Sequence, residues 1–433
     1  MLYLRPCKVQ AIQQNKSKLE HEGVKLRRNS FHWSVEPLSR WMCFLGIPIP
    51  TPRKISICRF ATLLHTTFCF LLVTSSHLYL VIYTIHNAKS ISAAYLHGIS
   101  TSTLAWNFVI ENLTLALYTI GSSISFFICI RSGAWSDLVN LLTLLDQNLA
   151  TSDIYPSSRQ FAIKILIFII SSMLCVETLL LLDSITNDST LTRKILEGYC
   201  IFTKIYPATQ LALFCVLTRT LSLQTEAIRK HVEEMCTQSL PASLTITETR
   251  NSELRILRRH HRLVCNSIHK LNYCFGTFLA LEVVHVFIIF TISSLYTLMG
   301  AINGDLVLEV LNVIVCLDCI IHLYLPTSYS DDIVSQIDKT YDALADLLYQ
   351  QPSLQNEVTL LTDQLSHLKF DINAMGFFRV SKSLLPTVRL HLLRSLNFFC
   401  LNGFTIFFPQ LMGTTLTYFL IFLQFQSAEK KES

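Results

Sequence analysis

Apolar residues in this chain gather into runs much longer than the core-facing stripe of a soluble helix. Runs long enough to cross a bilayer, about 20 residues each, lie near 60–85, 104–130, 161–184, 196–218, 274–299 and 306–325, and a last one ends at Phe425. Seven spans are therefore predicted. The polar segments between them differ in kind. Residues 1–30 are charged without clear periodicity and read as a flexible tail. Glu36 to Gly46 reads as a short interfacial helix begun by Pro37 and ended by Gly46, with Trp41 at headgroup level. The stretch 219–271 is long and basic and reads as extensions of the fourth and fifth spans beyond the membrane. After the sixth span, Ile333, Ile337, Tyr341, Leu344 and Leu348 form one apolar helical stripe. Beyond Pro352, Leu354, Val358, Leu361, Leu365, Leu368 and Ile372 follow at heptad spacing. Two such helices must cover their stripes on each other, on the extensions, or on another subunit. A pore built from one helix per chain also needs several chains around an axis, so an oligomer is expected.

Composition supports the membrane assignment. Of 433 residues 51% are hydrophobic and only 15% charged, and the mean hydropathy is +0.42, which excludes an ordinary soluble domain. No apolar run follows Met1 closely enough to be a signal peptide, so the N-terminus is placed in the cytosol. Alternate loops then carry 28 Lys and Arg on the cytosolic side against 5 on the other, as the positive-inside rule requires. Lys164 and Lys204 fall within spans. The expected fold is an all-α membrane protein of seven transmembrane helices, with a cytosolic N-terminus, an extracellular C-terminus and cytosolic helical extensions. The sequon at Asn187 lies in a loop that this orientation puts outside, which makes Asn187 a glycosylation candidate. The fourteen cysteines sit mostly in or beside spans and imply no disulfide framework. His261, Cys265 and His269 share a helix face, and Cys316 and Cys319 have redox-motif spacing. Both sets are read as structural, so no metal or cofactor is assigned and no nucleic-acid partner is implied.

The most specific passage is Thr417-Tyr418-Phe419-Leu420-Ile421-Phe422-Leu423-Gln424-Phe425. Thr417, Ile421 and Gln424 fall on one helix face, and a Gln amide in lipid must meet water or another helix. That face suits a helix-packing seam or a narrow pore. The nine residues match the TYhhhhhQF signature of insect gustatory receptors, where h is hydrophobic. Ala374 to Leu385, with its Gly376-Phe377-Phe378, resembles that family's approach to the final span, and Leu271 to Gly276 is similar to its lead into the fifth span. Gly46-Ile47-Pro48 resembles the passage before its first span.

The resemblance implies a ligand-gated, non-selective cation channel of taste neurons, with four subunits around a pore lined by the seventh helix. It places Thr417 and Tyr418 at the start of the motif and Gln424 and Phe425 at the constriction, with Ile421 on the same face. A homotetramer, or a heteromer with related receptors, is the implied assembly, and a small-molecule tastant the implied ligand. Polar and aromatic side chains in the outer halves of the spans are candidate ligand contacts: Trp106, Glu111, Glu177 and Tyr296. Glu282 and Asp318 lie deeper and are assigned to gating or interhelical bonds. Phe419 stands where many sugar-responsive members carry Glu, which speaks against that group, although fructose-type members also lack the Glu. Bitter plant compounds are the first expectation by their abundance within the family, with fructose or another sugar the alternative. A G-protein-coupled receptor would show an Asp-Arg-Tyr-like triplet and an Asn-Pro-x-x-Tyr pattern, and neither is present. No enzymatic constellation stands out.

One departure from the family is large. Thirty-one residues separate Leu385 from Thr417, far more than in the family. Val388 to Gln410 is read as a retained in-frame intron or an aberrant insertion, because its Val-Arg start and Phe-Phe-Pro-Gln end are encodable as splice donor and acceptor. The expected organisation is a tail with its interfacial helix over 1–57 and helices one to six over 58–325. Cytosolic amphipathic helices follow over 326–383, then the pore helix over 384–427 including the insertion 388–410, and an outer tail over 428–433.

Overall fold

The computed structural model describes residues 30–45, 101–148, 154–186, 191–237, 244–367, 371–376 and 378–383, with Leu71, Ser75 and Ile82 as isolated helical positions. In chain order the helices are α1 (Phe31–Phe44), α2 (Thr101–Arg131), α3 (Ala134–Asn148), α4 (Ile154–Thr186), α5 (Leu191–Thr237), α6 (Leu244–Asn303), α7 (Leu306–Gln350) and α8 (Gln355–His367). A 3-10 turn at Pro352–Leu354 joins α7 to α8. A two-stranded antiparallel hairpin, β1 (Asn373–Ala374) and β2 (Phe378–Arg379), follows α8. Five of the helices are long and apolar enough to cross a membrane: α2, α4, α5, α6 and α7. They coincide with five of the seven predicted spans. The run 60–85, apart from the three isolated positions, and the run ending at Phe425 lie outside the described residues.

α5 is the core of the bundle. Every residue from Pro207 to Thr218 is buried, as expected of a helix that is apolar all round. It packs mainly on α4 and α7, while α6 packs on α7, α2 and α3. In this core the hydroxyls of Thr218 and Thr220 are satisfied along the helix itself, donating to the carbonyls of Phe214 and Val216 at 2.8 Å each. Outward faces remain apolar. Leu113, Leu117, Ile124 and Ile128 on α2, and Val310, Val313, Leu317, Ile320 and Tyr324 on α7, are exposed at helical spacing, which is the pattern of a lipid-facing stripe.

α6 and α7 run unbroken for 60 and 45 residues, so the predicted boundary at 325/326 falls inside a continuous helix. Pro326 removes one intrahelical bond, yet the helix continues because the residues on both sides are held against neighbours. Cys319 and Leu323 are buried before it, and Ile333 and Ile337 after it. The two predicted cytosolic stripes are largely covered within the subunit, Leu368 lying outside the described residues. Ile333, Ile337 and Leu344 of α7 are buried, as are Leu354, Val358, Leu361, Leu365 and Ile372, with α8 seated on α6 and α7. These stripes therefore no longer argue for a second subunit.

Two local differences from the sequence expectation have clear causes. α3 replaces an expected loop: Trp135, Leu138, Val139, Leu142 and Leu145 all turn inward onto the core. α1 begins at Phe31 instead of at Pro37, and Pro37 sits inside it. Proline cannot donate to the carbonyl of Trp33, and Arg159 of α4 takes that acceptor instead, at 2.7 Å. The same guanidinium lies 4.4 Å from the centre of the Trp33 ring and 3.3 Å from Glu36. Trp41, expected at headgroup level, donates from its indole to Thr209 of α5 at 3.0 Å.

Arg159→Ala removes a stacked cation and a backbone bond at once and should cost about 1–2 kcal/mol. Protease sensitivity of residues 30–45 in the purified protein would rise. Lysine should not restore it, because an ammonium cannot stack and reach both acceptors. Equal sensitivity of wild type and the alanine variant would refute the role.

Candidate functional site

Polar side chains from four spanning helices meet inside the apolar part of the bundle. α6 supplies Glu282, whose side chain is 1% exposed. An isolated carboxylate at such a depth is costly unless paired, and two partners reach it. Tyr118 of α2 donates its hydroxyl to Oε2, and His322 of α7 places Nδ1 2.9 Å from Oε1. One turn before His322 on the same helix is Asp318, with Oδ2 3.9 Å from His322 Nε2. Ser172 of α4 donates to the other oxygen of Asp318 at 2.6 Å. The His285 ring of α6 stacks on Tyr118 with centroids 4.4 Å apart and planes 8° from parallel. The Lys204 ammonium of α5 acts electrostatically on His285 and His322. This knot ties α2, α4, α6 and α7 together and draws on α5, so a molecule that parts any two of these helices must work against it. The sequence expectation of interhelical bonds for Glu282 and Asp318 agrees with this geometry. Tyr118, Ser172 and His322 were not singled out.

A second junction lies at the basic end, where two of the family-like passages meet. Asn272 of α6 donates from Nδ2 to the Asp371 carbonyl at 2.6 Å and accepts from the Asn373 amide at 3.2 Å. It thus pairs with the backbone of the hairpin as a neighbouring strand would. One turn on, the α6 backbone touches the hairpin directly: a Cβ built on Gly276 would sit 2.9 Å from the Met375 nitrogen. The turn itself needs left-handed backbone, with φ 55° at Met375 and 77° at Gly376, and Asn373 caps it by accepting from the Gly376 amide at 2.8 Å. On its other flank the Lys382 amide donates to Asp331 of α7 at 2.8 Å. The hairpin is a clasp between α6 and α7, and in sequence it precedes the predicted final span.

The remaining candidates separate by position. Thr417, Tyr418, Ile421, Gln424 and Phe425, the insertion 388–410 and Asn187 lie outside the described residues. Trp106 and Glu111 fall on α2 and Glu177 on α4, with side chains outside what the structure describes, and Tyr296 is half-buried on α6. Of the His261, Cys265 and His269 face, His261 is committed to Gln364 of α8 at 2.9 Å and lies 3.7 Å from the Cys265 sulfur. Its neighbour His260 meets Gln224, which donates to Tyr155, so this chain crosses from α6 through α5 to α4.

Burial lowers both imidazoles of this basic end from the ordinary value near 6.5 to about 4, and for His261 the neighbouring His260 adds to it. The unfolded chain therefore takes up protons in a range where the folded one does not. Stability from this pair is complete above about pH 6.5 and is lost as pH falls toward 4. Amide exchange in 254–268, corrected for intrinsic rates, should accelerate across that window. Protection independent of pH there would show that the pair carries no such linkage.

The profile of the 7tm chemosensory receptor family matches residues 36–388. No curated protein gives a significant match. Among solved structures, the insect olfactory receptor OR5 from Machilis hrabei superposes with a TM-score of 0.58 at 12% identity, over 90% of this chain and 97% of that one. The same receptor in complex with eugenol gives 0.54 at 13% identity, over 89% and 98%. At such identities the likeness speaks for the fold alone.

Proposed function

The chain belongs to the 7tm chemosensory receptor family, and from that membership we propose a multi-pass receptor that binds small external molecules and opens a cation-conducting pore. The observation that carries the proposal is the family match across most of the chain, on a bundle whose long apolar helices superpose on an insect olfactory receptor. The TYFLIFLQF passage supports the gustatory branch, with bitter plant compounds as ligands and gustatory neurons as the site of action. Thr417, Tyr418, Ile421, Gln424 and Phe425 line the pore helix, and Gln424 and Phe425 close it by excluding water. Trp106, Glu111, Glu177 and Tyr296 contact the ligand, Asn187 carries glycan, and four copies, or copies of related receptors, surround the axis.

That the olfactory relative was solved with eugenol supports the idea that a bundle of this kind takes up a small aromatic molecule. The knot supplies a structural reason for ligand sensitivity, since a compound wedged among α2, α4, α6 and α7 would part helices that Glu282 and His322 hold together.

Expression in heterologous cells, with and without residues 388–410, tests the proposal by patch clamp against plant alkaloids and sugars. Alkaloid-evoked cation currents that persist when G-protein signalling is blocked are the expected result. Currents that depend on that signalling would reject the channel. Responses confined to fructose or other sugars would replace the bitter assignment. Transcript sequencing decides the insertion: a dominant message that keeps those 69 nucleotides makes it a true element of the protein.

A further inference from the structure

We propose that the knot around His322 is a proton-binding site, in which one proton held between Glu282 and Asp318 fastens α7 to α6 and α4. The count of donors against acceptors leads there. Two carboxylates offer four oxygens. Tyr118 donates to one oxygen of Glu282, and Ser172 to one oxygen of Asp318. The two oxygens left over face the two nitrogens of a single imidazole, Nδ1 at 2.9 Å and Nε2 at 3.9 Å. A neutral imidazole has one N–H and can serve only one of them, whereas an imidazolium has two and serves both. Among the described residues Nε2 is buried without a hydrogen bond, and it aims at Asp318 from a distance that a small rotation closes.

Charge leads to the same conclusion. Among the described residues the titratable groups around His322 are Tyr118 on α2, Lys204 and Cys215 on α5, Glu282 and His285 on α6, and Asp318 and Cys319 on α7, while α4 contributes the neutral Ser172. With the proton in place, two carboxylates balance Lys204 and His322. Without it, a net negative charge is left in a bundle that is 15% exposed at His322 and 1% at Glu282, which such an environment disfavours. Loss of the proton also turns an imidazole lone pair toward a carboxylate. The packing described here is therefore favoured on the acid side and weakened as pH rises. The proton is a second ligand of the receptor, bound by residues other than the proposed tastant contacts.

The test is thermal melting of the full-length protein in lipid nanodiscs across about pH 6.5 to 9, a range chosen above the His260 and His261 transition and around imidazole titration. Wild type should lose on the order of 2–4 °C on going to the alkaline end. His322→Gln should melt lower at the acid end and show no such loss, and Asp318→Asn, which keeps an acceptor for Ser172, should flatten the curve likewise. Groups common to all three proteins cancel in the difference. Parallel curves for wild type and both variants would overturn the proposal. Should neither variant fold, 15N-histidine solid-state NMR of wild type at about pH 6.5, the acid end of the same range, decides. A solvent-protected imidazole with both nitrogens protonated supports the site, and the absence of any such signal rejects it.

Discussion

Glu282→Leu is expected to cost about 3–5 kcal/mol, the range seen when one partner of a buried charge pair is removed. The carboxylate is almost fully enclosed and is the acceptor for both Tyr118 and His322. Leucine fills much of its volume and removes its charge, but it leaves a phenol hydroxyl and an imidazole facing hydrocarbon, together with Asp318 and Lys204 in an unbalanced field. Glu282→Gln should cost less, since an amide oxygen still accepts from one neighbour. The diagnostic protein is the double variant Glu282→Leu with His322→Leu. Removing both ends of the pair should recover part of the loss, because the stranded imidazole is gone. Surface biotinylation and melting of the detergent-solubilised protein measure both quantities. A single leucine variant as stable as wild type would mean that the knot contributes nothing to the fold.

Gly276→Val should be the most damaging change at the basic end. Its Cβ would lie 2.9 Å from a backbone nitrogen of the hairpin and 3.5 Å from the Asn373 carbonyl, atoms that cannot rotate aside as a side chain can. Overpacking of this kind costs about 1–3 kcal/mol, and it falls on the contact that positions residues 371–383. The hairpin should become cleavable by protease between 371 and 383 while α6 itself stays protected. Gly121→Ala is the matched control: its new Cβ would meet Leu281 Cδ1 at 2.7 Å, the far end of a flexible side chain, and its cost should be small. If the two variants are cleaved equally, the clasp is not seated by Gly276.

How much of this was legible in the sequence depends on which interactions a single helix can encode. The five described spans were readable because each is an apolar run of bilayer length. The basic extensions of α5 and α6 were readable because their charge rises where hydropathy falls. α3 escaped notice, although Trp135, Leu138, Val139, Leu142 and Leu145 carry a clear helical period. It is too short to span, and Asp137 and Asn140 between those residues, with Asp146 just after them, lend it the polarity of a loop. Glu282 and Asp318 were conspicuous as ionisable groups at depth, but their partners were not. Nothing in the sequence of α2 marks Tyr118 as different from any other membrane tyrosine, since the pairing exists only once α2 lies against α6. The clasp was half readable: Leu271–Gly276 and Ala374–Leu385 stood out as passages, yet their meeting spans about a hundred residues of chain and depends on α8 folding back. Of the amphipathic stripes after the sixth span, the first is helical and the second is helical as far as Leu365, whereas Ile372 lies past the end of α8 in the lead to the hairpin. Spacing alone could not tell whether they are buried within the subunit or against a neighbour.

The unbroken length of α6 has a mechanical consequence. Sixty residues at 1.5 Å each make a rod of about 90 Å, about three times the hydrocarbon thickness of a bilayer. Taken as a lever with its fulcrum at Glu282, its long arm to Leu244 measures about 57 Å, and a tilt of only about 3° would sweep that end through about 3 Å. Gly276, about 9 Å from the fulcrum, would move by only a small fraction of that. The same small rotation is therefore gentle where the hairpin is seated and large where α6 meets α5 and α8, so strain originating among the spans would be felt first at the end farthest from them.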